Sequence, residues 1–117
     1  MTIEAALDAL LKAQCPRAFT DFAPPGSPLP WVVYQFIGGP ALRALSGAAA
    51  DKRQSLVQIA AWTGSRLETH TLIRAIEDAM CAATAFIARP QAEPVDDADE
   101  SLGYYGSVQD FMIISSR

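Results

Sequence analysis

The sequence has few of the side chains on which metal binding and nucleophilic catalysis usually depend. It contains two cysteines, Cys15 and Cys81, and a single histidine, His70. Two cysteines cannot form a framework of several disulfides, and a four-ligand Cys/His zinc site needs more than these three side chains. The composition therefore excludes a disulfide-rich scaffold and a structural zinc domain.

Basic residues and long apolar runs are also scarce. Nine Lys and Arg residues stand against 13 Asp and Glu residues, which gives a net charge of −4, whereas nucleic-acid binders usually carry a basic surplus. No apolar run reaches the roughly 18 residues that span a bilayer. The first residues lack the basic segment of a signal peptide, and Glu4 and Asp8 interrupt their apolar stretch. We therefore expect a protein of the host cytoplasm with no membrane contact and with reduced cysteines.

The apolar content is sufficient for one folded domain. The chain has 117 residues, of which 50% are hydrophobic, and this size corresponds to a single core. We predict one domain over residues 1–117. Residues 38–54, which are rich in Ala and Gly, are predicted to form a long flexible arm or loop.

Hydrophobic periodicity and capping residues predict two helices. Residues 3–14 repeat apolar side chains at helical spacing after Thr2, a suitable N-cap. A capping box formed by Ser65 and Glu68 predicts a second, long helix over about residues 66–88. Its predicted buried stripe consists of Leu72, Ile73, Ile76, Ala79, Met80, Ala83 and Ile87.

Three segments rich in β-branched and aromatic residues predict strands, at 31–37, 55–62 and 104–115. In the second of these, Val57, Ile59 and Ala61 are predicted to face the same side. Residues 91–95 are a weaker strand candidate. The proline-rich segment 16–30 is predicted to be a loop, and residues 95–103 an acidic turn. The resulting order, α-β-β-α-β-β, predicts an α+β fold with a mostly antiparallel sheet packed against the long helix.

The side chains that could support chemistry do not form a catalytic set. His70 and Cys81 lie on the same predicted helix, about 16 Å apart at 1.5 Å per residue, which is too far for a Cys–His dyad. Five carboxylates fall within eight residues, namely Glu93, Asp96, Asp97, Asp99 and Glu100. The segment lacks the central Gly of a calcium loop. It indicates a solvated turn, with a charged partner contact or a weak cation site as alternatives. The sequence therefore predicts no enzyme, and no catalytic, cofactor or metal residues.

Larger segments of the sequence resemble a known family. After a short helix come "PPGSPLPWVVYQ" at residues 24–35, "LVQIAAW" at 56–62, and a helix that starts with "SRLE" at 65–68. This pattern resembles the tail completion proteins of tailed bacteriophages and prophages, also called tail terminator or head–tail joining proteins, over nearly the whole chain.

The resemblance implies a structural function. Such a protein caps the tail tube and then meets the head connector, as a homo-oligomeric ring that is commonly a hexamer, although an isolated subunit can be monomeric. DNA passes through the ring without sequence-specific binding. The protein would assemble in the bacterial cytoplasm and reside at the head–tail interface of the virion, with the tail tube protein and the head-connector protein as partners.

Seven charged residues are predicted to contact other subunits or partners. They are Arg43, Lys52 and Arg53 in the arm, and Asp96, Asp97, Asp99 and Glu100 in the acidic turn. An alternative hypothesis is a cellular α+β binding module or small dimeric enzyme that uses a cleft between helix and sheet.

Overall fold

A computed structural model describes residues 2–40 and 52–116, which form two helices and a six-stranded sheet. The predicted α+β class and mostly antiparallel sheet are confirmed. The elements in chain order are α1 (Ile3–Gln14), β1 (Ala18–Thr20), β2 (Trp31–Phe36), β3 (Lys52–Thr63), α2 (Arg66–Ala82), β4 (Ile87–Pro90), β5 (Val95–Asp99) and β6 (Tyr104–Ser116).

The two longest strands, β3 and β6, form the centre of the sheet. They pair antiparallel from Lys52 opposite Ser116 to Thr63 opposite Tyr105. The strand order is β1-β2-β3-β6-β4, and β5 also pairs with β6. The strands β4 and β5 share one edge of β6, whereas β1 forms the opposite edge through a parallel pairing with β2.

Both helices pack on one face of this sheet. Val57, Ile59 and Ala61 alternate towards the helices and are fully buried, as the period-2 pattern of the sequence predicts. The side chains that meet there from all elements form one hydrophobic core. Its largest fully buried members are Leu7, Leu11, Ile59, Ile73, Ile76, Met80, Phe111 and Ile113.

The predicted helix starts are confirmed by hydrogen bonds. The Oγ1 atom of Thr2 accepts from the Ala5 N–H at 3.1 Å, and the Oγ of Ser65 accepts from the Glu68 N–H at 3.2 Å. In a capping box the Glu68 side chain would accept from the Ser65 N–H. Here the Ser65 N–H donates to Thr63 Oγ1 instead, at 3.3 Å. Each cap satisfies an amide that the helix itself leaves without a partner.

The predicted end of the second helix is wrong. The helix ends at Ala82, and Ala83 already has an extended backbone with ψ of 142°. Residues 87–90 pair with β6 instead, so Phe86 and Ala88 are buried while Ile87, placed in the helical stripe by the sequence, is 58% exposed. Pairing with a distant strand overrides the local helical period here, and period-2 burial replaces it.

Two further boundaries differ from the prediction. Segment 16–30 contains β1, a strand of only three residues whose partner β2 follows a proline-rich connection, so local periodicity gives no signal for it. Residues 91–94 are not a strand, and the predicted acidic turn at 95–103 begins with β5. Its charged side chains hide the strand pattern, although they suit an edge strand because charge discourages unwanted pairing.

The predicted arm at 38–54 is shorter at its C-terminal end than expected. Residues 52–54 belong to β3 and pair with β6, because the ladder between the two long strands continues to Ser116. Residues 41–51, and with them Arg43, lie outside the described residues. Among the described helices, neither is long and apolar enough to cross a membrane.

Candidate interaction surface

The sheet face opposite the helices carries apolar side chains that are only partly buried. No described helix packs on this surface, which we call the open face. By strand register, a polar row of Gln35, Gln58 and Asp110 crosses its middle, and its apolar residues are Trp31, Val33, Leu56, Ala60, Trp62, Val108 and Met112. Ile87 and Val95 extend it at the β4–β5 edge and are 58% and 68% exposed. Extended exposed apolar surface is typical of regions that contact other proteins.

At one end of the open face, aromatic rings line a cleft of about 330 Å³, which we call the aromatic cleft. The rings of Trp31 and Tyr104 are perpendicular, with centroids 5.3 Å apart. Trp62 also lines the cleft and lies against Gly106, where an added Cβ would come within 2.9 Å of the indole. The remaining wall is formed by residues 23–27 together with Asp99 and Leu102.

The proline-rich wall of the aromatic cleft is held in place by local hydrogen bonds. The Ser27 N–H and hydroxyl both donate to Pro24 O, at 3.1 and 2.6 Å, and Gly26 between them has φ of +80°, as a type II turn requires. The Arg17 guanidinium donates to Leu29 O and Pro30 O at 2.9 and 3.0 Å. The turn therefore gives residues 24–27 a defined shape, and Arg17 anchors the segment that follows them.

A second polar cluster joins β5 to α2, and we call it the clasp. Its residues are Arg66, His70, Asp96 and Ser107. The Asp96 carboxylate lies 2.9 and 3.1 Å from His70 Nε2 and 3.2 Å from an Arg66 nitrogen. Ser107 Oγ donates to it at 2.9 Å. The hydrogen bond with His70 is the largest cause that holds the pKa of Asp96 below its usual value, followed by Ser107.

Arg66 connects the clasp to the backbone of β6 and to the ring of Tyr105. Its guanidinium donates to Gly106 O at 2.6 Å and to Asp97 O at 2.7 Å. It also lies 5.3 Å from the centroid of the Tyr105 ring. One side chain of α2 therefore binds both β5 and β6. This contact fixes the acidic hairpin, which consists of β5, the turn after it and the start of β6, relative to the helix.

The acidic residues predicted as contacts have different environments. Asp96 is engaged in the clasp, while Asp97 Oδ1 accepts from the Ala98 N–H at 2.8 Å. Asp99 Oδ1 accepts from Ser101 Oγ at 2.7 Å and from the Leu102 N–H at 3.3 Å, and so stabilises the turn. Glu100 is exposed in that turn.

The basic residues predicted as contacts lie at the other end of the sheet. Arg53 binds Glu4 at 2.8 Å and lies over the Phe36 ring, and Lys52 is exposed at the start of β3. The length of β3 separates Lys52 from the acidic turn by roughly 36 Å at about 3.3 Å per residue. The structure therefore does not bring the described basic and acidic candidates together within one chain.

The clasp and the aromatic cleft were not predicted from the sequence. His70 and Asp96 were both noted, but their pairing depends on β5, which was predicted to be a turn. Cys15 is buried and Cys81 is exposed. Within residues 2–40 and 52–116, no three His, Cys, Asp or Glu side chains are grouped in a way that could hold a metal ion.

Comparison with known proteins gives one family match. The family model described as "Tail completion protein gp17" matches residues 2–115. The match includes both helices and all six strands except the last residue of β6, so it concerns the whole fold rather than one motif. No curated protein matches the sequence.

Proposed function

Because the chain belongs to the tail completion protein gp17 family, we propose that it caps the tail tube of a phage or prophage and joins the tube to the head connector. The family is one of structural tail proteins, and the match over residues 2–115 is the observation that carries the proposal. Assembly takes place in the bacterial cytoplasm, and the protein resides at the head–tail interface. Its partners are the tail tube protein and the head-connector protein.

We further propose that the chain acts as a subunit of a homo-oligomeric ring, a hexamer. Its charge distribution supports a head-to-tail contact, because Lys52 lies at one end of the long strand pair and Asp97 and Glu100 lie at the other. Opposite charges at opposite ends attract neighbouring copies in a repeating orientation, and such contacts form a ring when the rotation between neighbours closes. Arg43, which precedes Lys52 and Arg53 in the sequence, is the third basic residue that we propose for this contact.

The open face supports a function in assembly. Subunits of assemblies bury apolar surface against their partners, and this chain keeps partly exposed apolar side chains on both sides of a polar row on the sheet face opposite its helices. The net charge of −4 fits a ring through which DNA slides, since a lumen that gripped phosphates would slow the passage of DNA.

The alternative of a ligand site between helix and sheet has less support. The centre of that interface is filled by Ile59, Ile76, Met80 and Phe111, each fully buried. Among the described residues, two cavities border α2. The one against residues 93–96 has about 220 Å³ and four charged or titratable side chains in its lining, and the one beside Gln14, Pro30 and Thr63 has about 450 Å³ and a single titratable side chain, Glu68. Neither cavity brings together a set of catalytic side chains from residues 2–40 and 52–116.

Charge reversal at the two ends tests the ring contact. Lys52→Glu and Glu100→Lys, each alone, are expected to weaken ring formation by at least ten-fold, because each places like charges opposite one another. The chain that carries both reversals is expected to recover ring formation. The control is Asp78→Lys, which makes the same charge change as Glu100→Lys on the exposed side of α2.

Native mass spectrometry and electron microscopy of the chain with tail tubes would measure the rings. Equal ring formation by all four variants would reject the head-to-tail contact. Failure of the unmodified chain to form rings with or without tubes would reject the ring itself.

A further inference from the structure

We propose that the aromatic cleft binds an arginine side chain that a partner protein presents. The cleft is lined by Trp31, Trp62 and Tyr104 together with the acidic residue Asp99. This inference goes beyond the capping of tail tubes, because it assigns a ligand chemistry to a particular cleft. It depends on the geometry of this cleft and not on ring formation.

The aromatic walls favour a cation over a neutral or anionic group. Three rings line one cleft of about 330 Å³, and two of them, Trp31 and Tyr104, stand at right angles to one another. Ring faces carry negative potential, and cages of several rings are a recurrent means of binding cations in proteins. The volume is at the small end of ligand pockets, which suits one long side chain.

The carboxylate of Asp99 provides the matching charge. Its two hydrogen bonds, from Ser101 and Leu102, both fall on Oδ1, and Oδ2 accepts none from the described part of the chain. The described residues that line the cleft include no Lys or Arg. One carboxylate oxygen is thus available to a cation that enters between the rings.

An arginine fits these walls better than a lysine. The guanidinium is planar, so it stacks on a ring face while its N–H groups reach a carboxylate. The same sheet already holds two such pairs, since Arg53 lies over Phe36 and Arg66 over Tyr105, each 5.3 Å from the ring centroid.

The arginine that enters the cleft is presented by another chain, because no described arginine lines it. Arg66 binds Asp96, and Arg17 binds the carbonyls of Leu29 and Pro30. Arg53 binds Glu4 at the other end of the sheet. The type II turn shapes residues 24–27 of the wall and Arg17 anchors the two residues that precede β2, so the cleft needs little reorganisation to bind an arginine.

Intrinsic fluorescence gives a direct test, because both tryptophans of the chain line the cleft. The probe is the peptide acetyl-Gly-Arg-Gly-amide, titrated into the purified full-length chain. The matched peptides replace arginine with citrulline, norleucine or lysine. We expect a saturable change with the arginine peptide and at least roughly ten-fold weaker binding of citrulline and norleucine, which lack the charge.

The matched variant is Asp99→Asn, which keeps an oxygen for Ser101 and Leu102 but removes the charge. It is expected to weaken the arginine peptide several-fold and to leave the citrulline peptide unchanged. The control Asp78→Asn removes a charge from the exposed side of α2 and is expected to change neither. Added salt is expected to weaken the arginine peptide in the unmodified chain, which tests the charge without any substitution.

Several results would overturn the proposal. They are equal affinity for the arginine and norleucine peptides, tighter binding of the lysine peptide, the absence of saturable binding, or binding that is insensitive to both salt and Asp99→Asn. Each can be observed without tail tubes, so failure here is distinguishable from failure of the tail-capping function.

Discussion

His70 and Asp96 join the acidic hairpin to the second helix, with the His70 Nε2 atom 2.9 and 3.1 Å from the two carboxylate oxygens. The two residues are 26 positions apart, and Arg66 and Ser107 complete the contact. This clasp fixes β5, the strand that leads into the turn with Asp99 and Glu100. It therefore positions one wall of the aromatic cleft and the acidic end of the chain.

Removing the Asp96 charge is expected to change the acid sensitivity of the fold. The pKa of Asp96 is lowered in the folded chain, first by His70, so its contribution to stability is present above the usual carboxyl pKa of about 4 and is lost as pH falls towards the lower folded value. Asp96→Asn should therefore lose less stability than the unmodified chain as pH falls below about 4.

Urea denaturation at a series of pH values between 3 and 7 would measure this difference. Asp78→Asn provides the control for loss of an exposed carboxylate on α2. Parallel stability curves for the unmodified chain and Asp96→Asn across that range would contradict the stabilising function of the clasp.

Gly106 is expected to be essential for the packing of Trp62. An added Cβ would lie 2.9 Å from three atoms of the indole, so Gly106→Ala should force the ring to move and cost about 1–3 kcal/mol. Gly64→Ala is the matched control, since a Cβ there meets nothing within 4 Å. Near-ultraviolet circular dichroism would report the tryptophan environment, and urea denaturation the free energy of unfolding. Equal stability of the two variants would contradict this packing.

The corrected end of α2 can be tested with two isoleucines that the sequence placed on one helical stripe. Ile76 is fully buried and Ile87 is 58% exposed. Ile76→Ala should destabilise the fold by about 2–5 kcal/mol, whereas Ile87→Ala should cost less than about 1 kcal/mol. The free energy of unfolding of each variant decides the matter, and similar large losses at both positions would indicate that Ile87 belongs to the core.

The Ser65 cap is expected to stabilise the start of α2. Its Oγ accepts from the Glu68 N–H, and removal of such a cap by Ser65→Ala should cost about 1 kcal/mol. Ser116→Ala, at the exposed end of β6, is a suitable comparison for loss of a hydroxyl. Thermal unfolding followed by far-ultraviolet circular dichroism would measure both. No shift in Tm for Ser65→Ala would contradict the cap.

The features predicted correctly from the sequence depend on neighbouring residues. Thr2 and Ser65 cap helices through amides three residues away, and the alternation of Val57, Ile59 and Ala61 follows from the geometry of one strand. Each of these signals lies within a few positions of the chain, where residue type and spacing are sufficient to determine the structure.

The features missed depend on residues far apart in the chain. The segment after Ala82 leaves the helix because residues 87–90 pair with β6, and no helix-ending signal other than Pro90 lies nearby. The strand β5 and the clasp were missed together, because pairing with β6 is what brings Asp96 to His70. The aromatic cleft likewise requires Trp31, Trp62 and Tyr104 to meet from three strands.

Electron microscopy of tail tubes mixed with the labelled chain tests most directly whether this chain caps the end of a tube. Purified tail tubes of the phage or prophage that encodes the chain would be incubated with it and imaged. We expect label at one end of each tube, as a ring, and arrest of further tube growth at that end. Label distributed along the tube wall, or tubes that bind none of the chain and continue to lengthen, would contradict it.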